Sequence, residues 1–319
     1  MSTDPEGRDL PPDVLGEREE LVDVERELGA RVPSEGSRRA AEALAQVEAR
    51  PGVPKPDPIL VADHVVRRFG GVTAVDVEHL EIQRGTITAL IGPNGAGKST
   101  FFNVVSGFDS PSSGSWSFDG VDISSRSAYR IARLGMVRTF QLTKALMRLT
   151  TLENVMLGAT GQSGERLWRA PLRFLWRGQE GDVRRRADVL LERFGLAHMR
   201  EEFAGTMSGG QRKLLEMARA LMVEPRMVML DEPMAGVNPA LTQSLLGHIQ
   251  ALRDDGVTIV LVEHDMDVIM AISDWVVCFA EGRLIAEGRP DDIRRDRAVI
   301  DAYLGTRRGL PGTGKEVEA

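Results

Sequence analysis

The alternation of apolar and polar positions changes character near residue 58. From Ile59 onward, short apolar runs bounded by glycine are interleaved with longer stretches of helical period, as in an α/β protein. Strands are predicted at residues 59–66, 73–82 and 86–91, with Gly70-Gly71 and Arg84-Gly85 as the intervening turns. A helix is predicted from Lys98 to about Ser106, and residues 115–118 and 121–123 flank a turn at Asp119-Gly120. Residues 143–206 read as mostly helical. Within them Val183, Ala187, Leu190, Leu191 and Phe194 share one face, while Arg184, Arg185 and Arg186 point elsewhere. The runs at 227–230 and 258–262 are short and wholly apolar, the kind buried in a parallel sheet. Residues 275–280 and 283–287 form a predicted hairpin around Glu281-Gly282. No internal repeat interrupts this order.

Residues 1–58 lack such a pattern. They hold Pro5, Pro11, Pro12, Pro33, Pro51, Pro54, Pro56 and Pro58 between two charged, helix-prone patches. In residues 17–31, Leu21, Val24 and Leu28 recur at helical spacing, and residues 39–50 are rich in alanine. Neither stripe is wide enough to build a core. The segment is therefore read as a flexible extension with transient helix, and docking onto a partner or onto the main domain stays open. Residues 51–58 read as a stiff, extended linker.

Composition narrows the class. The 319 residues are 42% hydrophobic, enough to fill a core and to exclude wholesale disorder. The formal net charge is −7, and an excess of acid argues against a protein that coats DNA. However, residues 1–58 carry 14 acidic and 8 basic side chains, so nearly all of that excess sits in the extension. The charge argument is weak, and the motifs must carry the exclusion. Cys278, the sole cysteine, permits neither an intrachain disulfide nor a cysteine zinc site and suits a reducing compartment. No stretch approaches the ~18 consecutive apolar residues of a membrane span. The acidic first ten residues lack the features of a secretory signal, so a soluble intracellular protein is expected.

Two motifs supply chemistry. Gly92, Gly97, Lys98 and Ser99 fit G-x-x-x-x-G-K-[ST] between a predicted strand and a predicted helix. Glycines at Gly92, Gly95 and Gly97 let the backbone of Asn94, Ala96 and their neighbours curl so that N–H groups face phosphate oxygens. Lys98 supplies a cation for the β- and γ-phosphates, the Ser99 hydroxyl can ligate Mg²⁺, and Thr100 continues the helix start. The pattern indicates a nucleoside triphosphate, not what its hydrolysis does. At the end of the apolar run 227–230, Asp231 sits where open α/β sheets hold ligands and can serve Mg²⁺. Glu232 follows as a candidate general base for an attacking water.

Met207, Ser208, Gly209, Gly210 and Gln211, followed by a helical run from Leu214, separate this chain from other P-loop enzymes. With this signature the chain resembles the nucleotide-binding subunits of ATP-binding cassette (ABC) ATPases. The resemblance covers residues 59–305, with 306–319 as a C-terminal tail and 1–58 outside the usual pattern. It implies a P-loop core with an antiparallel β-subdomain and an inserted helical subdomain at about 143–210. It further implies ATP as substrate with Mg²⁺, and a head-to-tail dimer, homomeric or with a second ABC ATPase. In that dimer Ser208 at its helix start meets the γ-phosphate held by the opposite subunit. Gln141 resembles the Q-loop glutamine that contacts Mg²⁺ and reports nucleotide state to the membrane partner. His264 resembles the switch histidine, and Phe69 the adenine-stacking aromatic, although a plain core role for Phe69 stays open. Met207 replaces the usual leucine, and Asn238 stands where many members carry aspartate.

The loop Gly92-Pro-Asn-Gly95, the run Arg138-Thr-Phe-Gln141, the segment Ala235-Gly-Val-Asn-Pro239, the run Val262-Glu-His-Asp-Met266 and the ending Val299-Ile-Asp-Ala-Tyr-Leu-Gly305 resemble the branched-chain amino-acid importer ATPases. Import through separate transmembrane permease subunits, fed by a solute-binding protein, is the implied function, with the chain peripheral on the cytoplasmic face. Urea or amide import, lipopolysaccharide export and a non-transport ABC ATPase remain alternatives. Trp168, Phe174 and Trp176 with Arg166, Arg169, Arg173 and Arg177 suit contact with the membrane partner or lipid, and no nucleic acid is expected. Cys278 reads as a small core residue, and Asp254-Asp255-Gly256 as a helix-ending turn.

Overall fold

A computed structural model describes residues 34–139, 147–160 and 177–308. Its elements begin with α1 (Glu35–Leu44), β1 (Pro58–Phe69), β2 (Val72–Gln83), β3 (Ile87–Ile91) and α2 (Lys98–Val105). Next come β4 (Ser113–Phe118), β5 (Val121–Asp122), α3 (Ala128–Ala132), β6 (Met136–Arg138), α4 (Thr151–Met156) and α5 (Arg177–Arg193). The chain continues through α6 (Gly209–Leu221), β7 (Met227–Asp231), α7 (Pro239–Asp254), β8 (Thr258–Val262) and α8 (Met266–Ile272). It closes with β9 (Trp275–Ala280), β10 (Arg283–Gly288), α9 (Pro290–Arg295) and α10 (Arg297–Arg308). Among the described residues, one unit holds 39–128 and 260–308, and the other 34–38 and 129–259.

In the first unit an antiparallel sheet runs in the order β2-β1-β4-β5. Val75, Val77, Leu80 and Ile82 of β2 are buried, and Leu60 and Ala62 of β1 oppose Ile82 and Leu80, so the strand pattern sets the register. Asp119 and Gly120, and likewise Glu281 and Gly282, have positive φ, which the tight hairpin turns predicted at both places require. All five residues of β3 are buried, and β3 pairs in parallel with β9, Ile91 opposite Cys278. Phe101 of α2 lies 5.5 Å from Phe279 of β9, centroid to centroid. The segment before β1 departs from the linker reading. Val53 and Lys55 are buried, and the Lys55 ammonium reaches Glu287 of β10 at 2.9 Å. Glu287 also accepts from the Val53 N–H and the Trp275 indole, both at 2.9 Å. An apolar contact and a fully partnered buried carboxylate fasten this proline-rich stretch. Burial holds the Lys55 pKa below its ordinary value against the pull of Glu287.

In the second unit β6 runs parallel to β7, with Arg138 opposite Met229. At only three residues, β6 is too short for a sequence pattern to reveal. Helices α4, α5 and α6 pack together. Helix α4 opens with a reciprocal capping box between Thr150 and Glu153. Helix α5 turns Val183, Ala187 and Leu191 inward and Phe194 is buried just past its end, whereas Leu190 of the predicted face is only half-buried. Helix α7 ends with Asp255 as its cap and Gly256 at φ 92°, the predicted helix-ending turn. Ser37 donates to the Arg253 carbonyl and the Ser34 N–H to Asp254, so the start of α1 is tied to the end of α7.

Candidate active site

The first unit contains the phosphate loop. Gly92 leaves β3 at φ 141°, and an added Cβ would stand 2.1 Å from the Phe279 carbonyl oxygen. Gly97 caps α2 at φ 98°, where a Cβ would stand 2.4 Å from the Ala74 oxygen. Backbone from neighbouring strands crowds both positions, so glycine is obligatory there. Gly95, at φ 80°, faces open space and is exposed, as are Asn94 and Ser99, whereas Ala96 is buried and Thr100 half-buried. Lys98 folds its ammonium back onto the carbonyls of Gly92 at 2.6 Å and Pro93 at 3.0 Å. This leaves a cradle with an exposed rim, a cation at its mouth and a helix start behind it, which suits polyphosphate.

Phe69, at the end of β1, is 49% exposed, which removes the core reading, and Arg67 lies over its ring at 4.4 Å. His264 follows β8 with its side chain 68% exposed, its Nδ1 3.8 Å from the buried Glu263 carboxylate. Asp265 then caps α8 by accepting from Asp267 and Val268. Cys278 is fully buried, and burial pushes its thiol up to about 12. A further partner of the loop lies in the C-terminal run already noted for its resemblance, although nothing in that run points to the loop. The Gly92 N–H donates to the Tyr303 hydroxyl, 211 positions later, at 2.9 Å.

The second unit contains the acids and the glycine pair. Asp231 ends β7 with four buried residues before it. The Arg138 guanidinium donates to its carboxylate at 2.7 Å, both side chains being 10% exposed. Sequence reasoning placed Arg138 in a motif but did not find this partner. Glu232 has φ 48°, a conformation unfavourable for a residue with a Cβ, and Lys213 donates to its carbonyl at 3.3 Å. Ser208 caps α6. Its hydroxyl accepts from the Gln211 N–H, and the Gln211 side chain accepts from the Ser208 N–H, a complete capping box. Gly209 faces open space, whereas a Cβ on Gly210 would overlap Leu241 of α7. Asn238 caps α7 by accepting from Leu241, which accounts locally for an amide at that position.

Phe69, Gly92–Thr100 and His264 thus belong to one unit, and Ser208–Gln211, Asp231 and Glu232 to the other. Gln141 and the basic–aromatic stretch at 166–176 lie outside the described residues. The Ser99 hydroxyl and Asp231 carboxylate are hard oxygen donors of the type Mg²⁺ takes together with substrate phosphates. Among the described residues, no three His, Cys, Asp or Glu side chains form a metal cage, and no helix is long and apolar enough to cross a membrane.

Residues 75–235 match the family model for ABC transporters. Residues 283–308 match the model for branched-chain amino acid ATP-binding cassette transporters. The probable branched-chain amino acid transport ATP-binding protein LivG of Archaeoglobus fulgidus is 39% identical over 247 residues, covering 77% of this chain and 95% of that protein. The high-affinity branched-chain amino acid transport ATP-binding protein BraF of Pseudomonas aeruginosa is 39% identical over 253 residues, covering 78% and 98%. Among solved structures, a nucleotide-free ATP-binding cassette from an ABC transporter superposes with a TM-score of 0.68 at 34% identity, over 77% of this chain and 98% of that one. A cassette in its ADP conformation gives 0.69 at 35% identity, over 78% and 99%. The expected α/β cassette fold, with its antiparallel β-subdomain and helical region, is the fold these structures share with the chain.

Proposed function

The chain belongs to the branched-chain amino acid group of ABC transporter ATP-binding proteins, and from that premise we propose that it hydrolyses ATP to drive import of branched-chain amino acids through separate permease subunits. The observation that carries the solute class is the match of residues 283–308, added to 39% identity with transport proteins named for that cargo.

In this reading the Gly92–Thr100 loop holds the triphosphate, and Lys98 leaves its two carbonyls to meet the β- and γ-phosphates. Phe69 offers a ring face to the base. Ser99, Asp231 and Gln141 are the residues that would hold Mg²⁺, which would neutralise charge developing on the phosphates. Arg138 pairs with the Asp231 carboxylate at 2.7 Å. Glu232 takes the proton of the attacking water, and His264 orients the γ-phosphate. Ser208, Gly209, Gly210 and Gln211 present a helix start to the triphosphate of a second cassette, in a homo- or heterodimer. The dimer works on the cytoplasmic face against permease helices, with a solute-binding protein delivering cargo to them.

Glu232→Gln tests the chemistry. ATP binding is retained while turnover falls about 100-fold or more, and normal ATPase activity in that variant overturns the base assignment. For the cargo, the chain is reconstituted with permease subunits of the branched-chain type in proteoliposomes. ATP-dependent leucine uptake supports the reading. An assembled complex that moves urea or exports lipid, and no leucine, overturns it.

A further inference from the structure

We propose that Tyr303, on the C-terminal helix α10, is a positioning residue for the phosphate loop, its hydroxyl holding the Gly92 N–H at the loop entrance. The proposal rests on reading Gly92–Thr100 as the nucleotide-binding loop.

Gly92 is constrained from three directions. The Phe279 carbonyl forms a wall that excludes any side chain at Gly92. Lys98 holds the Gly92 carbonyl at 2.6 Å, and Tyr303 holds its N–H at 2.9 Å. These holds have different fates when nucleotide arrives. Lys98 must give up the carbonyl to reach phosphate, whereas the Tyr303 bond sits at the loop entrance on the Gly92 N–H and involves no cation. Tyr303 therefore keeps the first residue of the loop in place through the exchange, so that ATP meets a formed cradle and the cost of ordering it is not taken from binding.

Helix α10 is built for this role. It packs on β10 and α9, with Val299 buried and Tyr303 half-buried one turn later on the same side. Ile300 and Leu304 lie exposed on another side. Burial raises the Tyr303 pKa above its ordinary value against the pull of the Gly92 N–H on the phenol oxygen. Residues 283–308, which set this branch of the family apart, thus carry a hydroxyl into the nucleotide loop of the same chain.

The experiment uses the full chain with Tyr303→Phe, which removes one oxygen and keeps the ring. Leu304→Ala serves as a control for disturbing α10, and Lys98→Ala as a control for the site. ATP affinity is read by competition with a fluorescent ATP analogue, and kcat and KM by phosphate release. For Tyr303→Phe, Kd and KM rise about three- to tenfold, as expected for loss of one buried hydrogen bond, while kcat stays within about twofold. Backbone amides of the 92–97 loop exchange faster than in the wild type. Leu304→Ala changes neither affinity nor exchange. If Lys98→Ala abolishes binding but Tyr303→Phe leaves Kd and KM unchanged, the Tyr303 proposal is overturned and the site reading stands. A lower melting temperature without any change in affinity also overturns it, since the hydroxyl is then only a stability contact. If Lys98→Ala binds ATP normally, the site reading and the proposal fall together.

Discussion

The unit of residues 39–128 and 260–308 and the unit of 34–38 and 129–259 prepare their chemistry by different means. In the first, the phosphate cradle is shaped by main chain. Gly92 and Gly97 are dictated by carbonyl oxygens of Phe279 and Ala74 that leave no room for a Cβ. In the second, charge and side-chain bonds do the shaping. Asp231 is held by Arg138, and the Ser208 helix start is closed by Gln211. A site made of backbone tolerates no added atom, whereas a site made of side chains tolerates no lost partner.

Substitutions can break that contrast. The largest effect is expected for Gly92→Ala, which drives a methyl into the Phe279 carbonyl at a positive φ and costs about 4 kcal/mol. Chemical denaturation reads the loss, and a cost near 1 kcal/mol shows that the loop can shift. Arg138→Met follows, at about 3 kcal/mol, because it strips a 90%-buried carboxylate of its cation. On the proposed role of Asp231 toward Mg²⁺, the same variant also lowers the Mg²⁺ concentration needed for tight ATP binding, as titration of nucleotide affinity against Mg²⁺ will read. A smaller value, about 1 kcal/mol, is expected for Gly95→Ala, where φ is positive but nothing lies within 4 Å. If Gly95→Ala equals Gly92→Ala, steric crowding is not what distinguishes the positions.

The last effect, a pH dependence, vanishes near neutrality and grows only at alkaline pH. The native Cys278 thiol titrates at about 12 against 9.0 for an ordinary thiol, so between those values the unfolded chain binds fewer protons than the native one. Native stability therefore falls as pH rises from 9.0 toward about 12. Cys278→Ala lowers stability near neutrality by removing a buried group but flattens that alkaline slope, as urea titrations at stepped pH will read. An identical slope in both proteins removes the linkage.

These results also mark what the sequence made legible. Short apolar runs, turn glycines and the loop consensus are local. They located β3, the hairpin at Glu281-Gly282 and the start of α2 at Lys98 to within a residue or so. Strand β6 escaped because three residues carry no period, and α1 begins at Glu35, ahead of the alanine-rich patch that announced it. The site was legible wherever spacing along the chain is the constraint, as in Gly92–Thr100 and Ser208–Gln211. It was not legible where distant residues meet. Arg138 and Asp231 are 93 positions apart, Tyr303 and Gly92 are 211 apart, and neither pairing leaves a mark in its own neighbourhood. The exposure of Phe69 likewise depends on where β1 ends relative to its sheet.

The buried Lys55–Glu287 pair bears on how the cassette is trimmed for expression. A boundary drawn by the strand pattern falls at Pro58, and a clone starting there would still encode every strand. It would also delete the ammonium and the Val53 N–H that Glu287 uses, leaving the Trp275 indole to face a sealed carboxylate alone among these three partners. Electrostatics therefore moves the boundary at least three to five residues upstream of the first strand, and a cut between Val53 and Pro58 should yield a less stable, aggregation-prone product than a clone that keeps Val53, Lys55 and α1 with its buried Leu44.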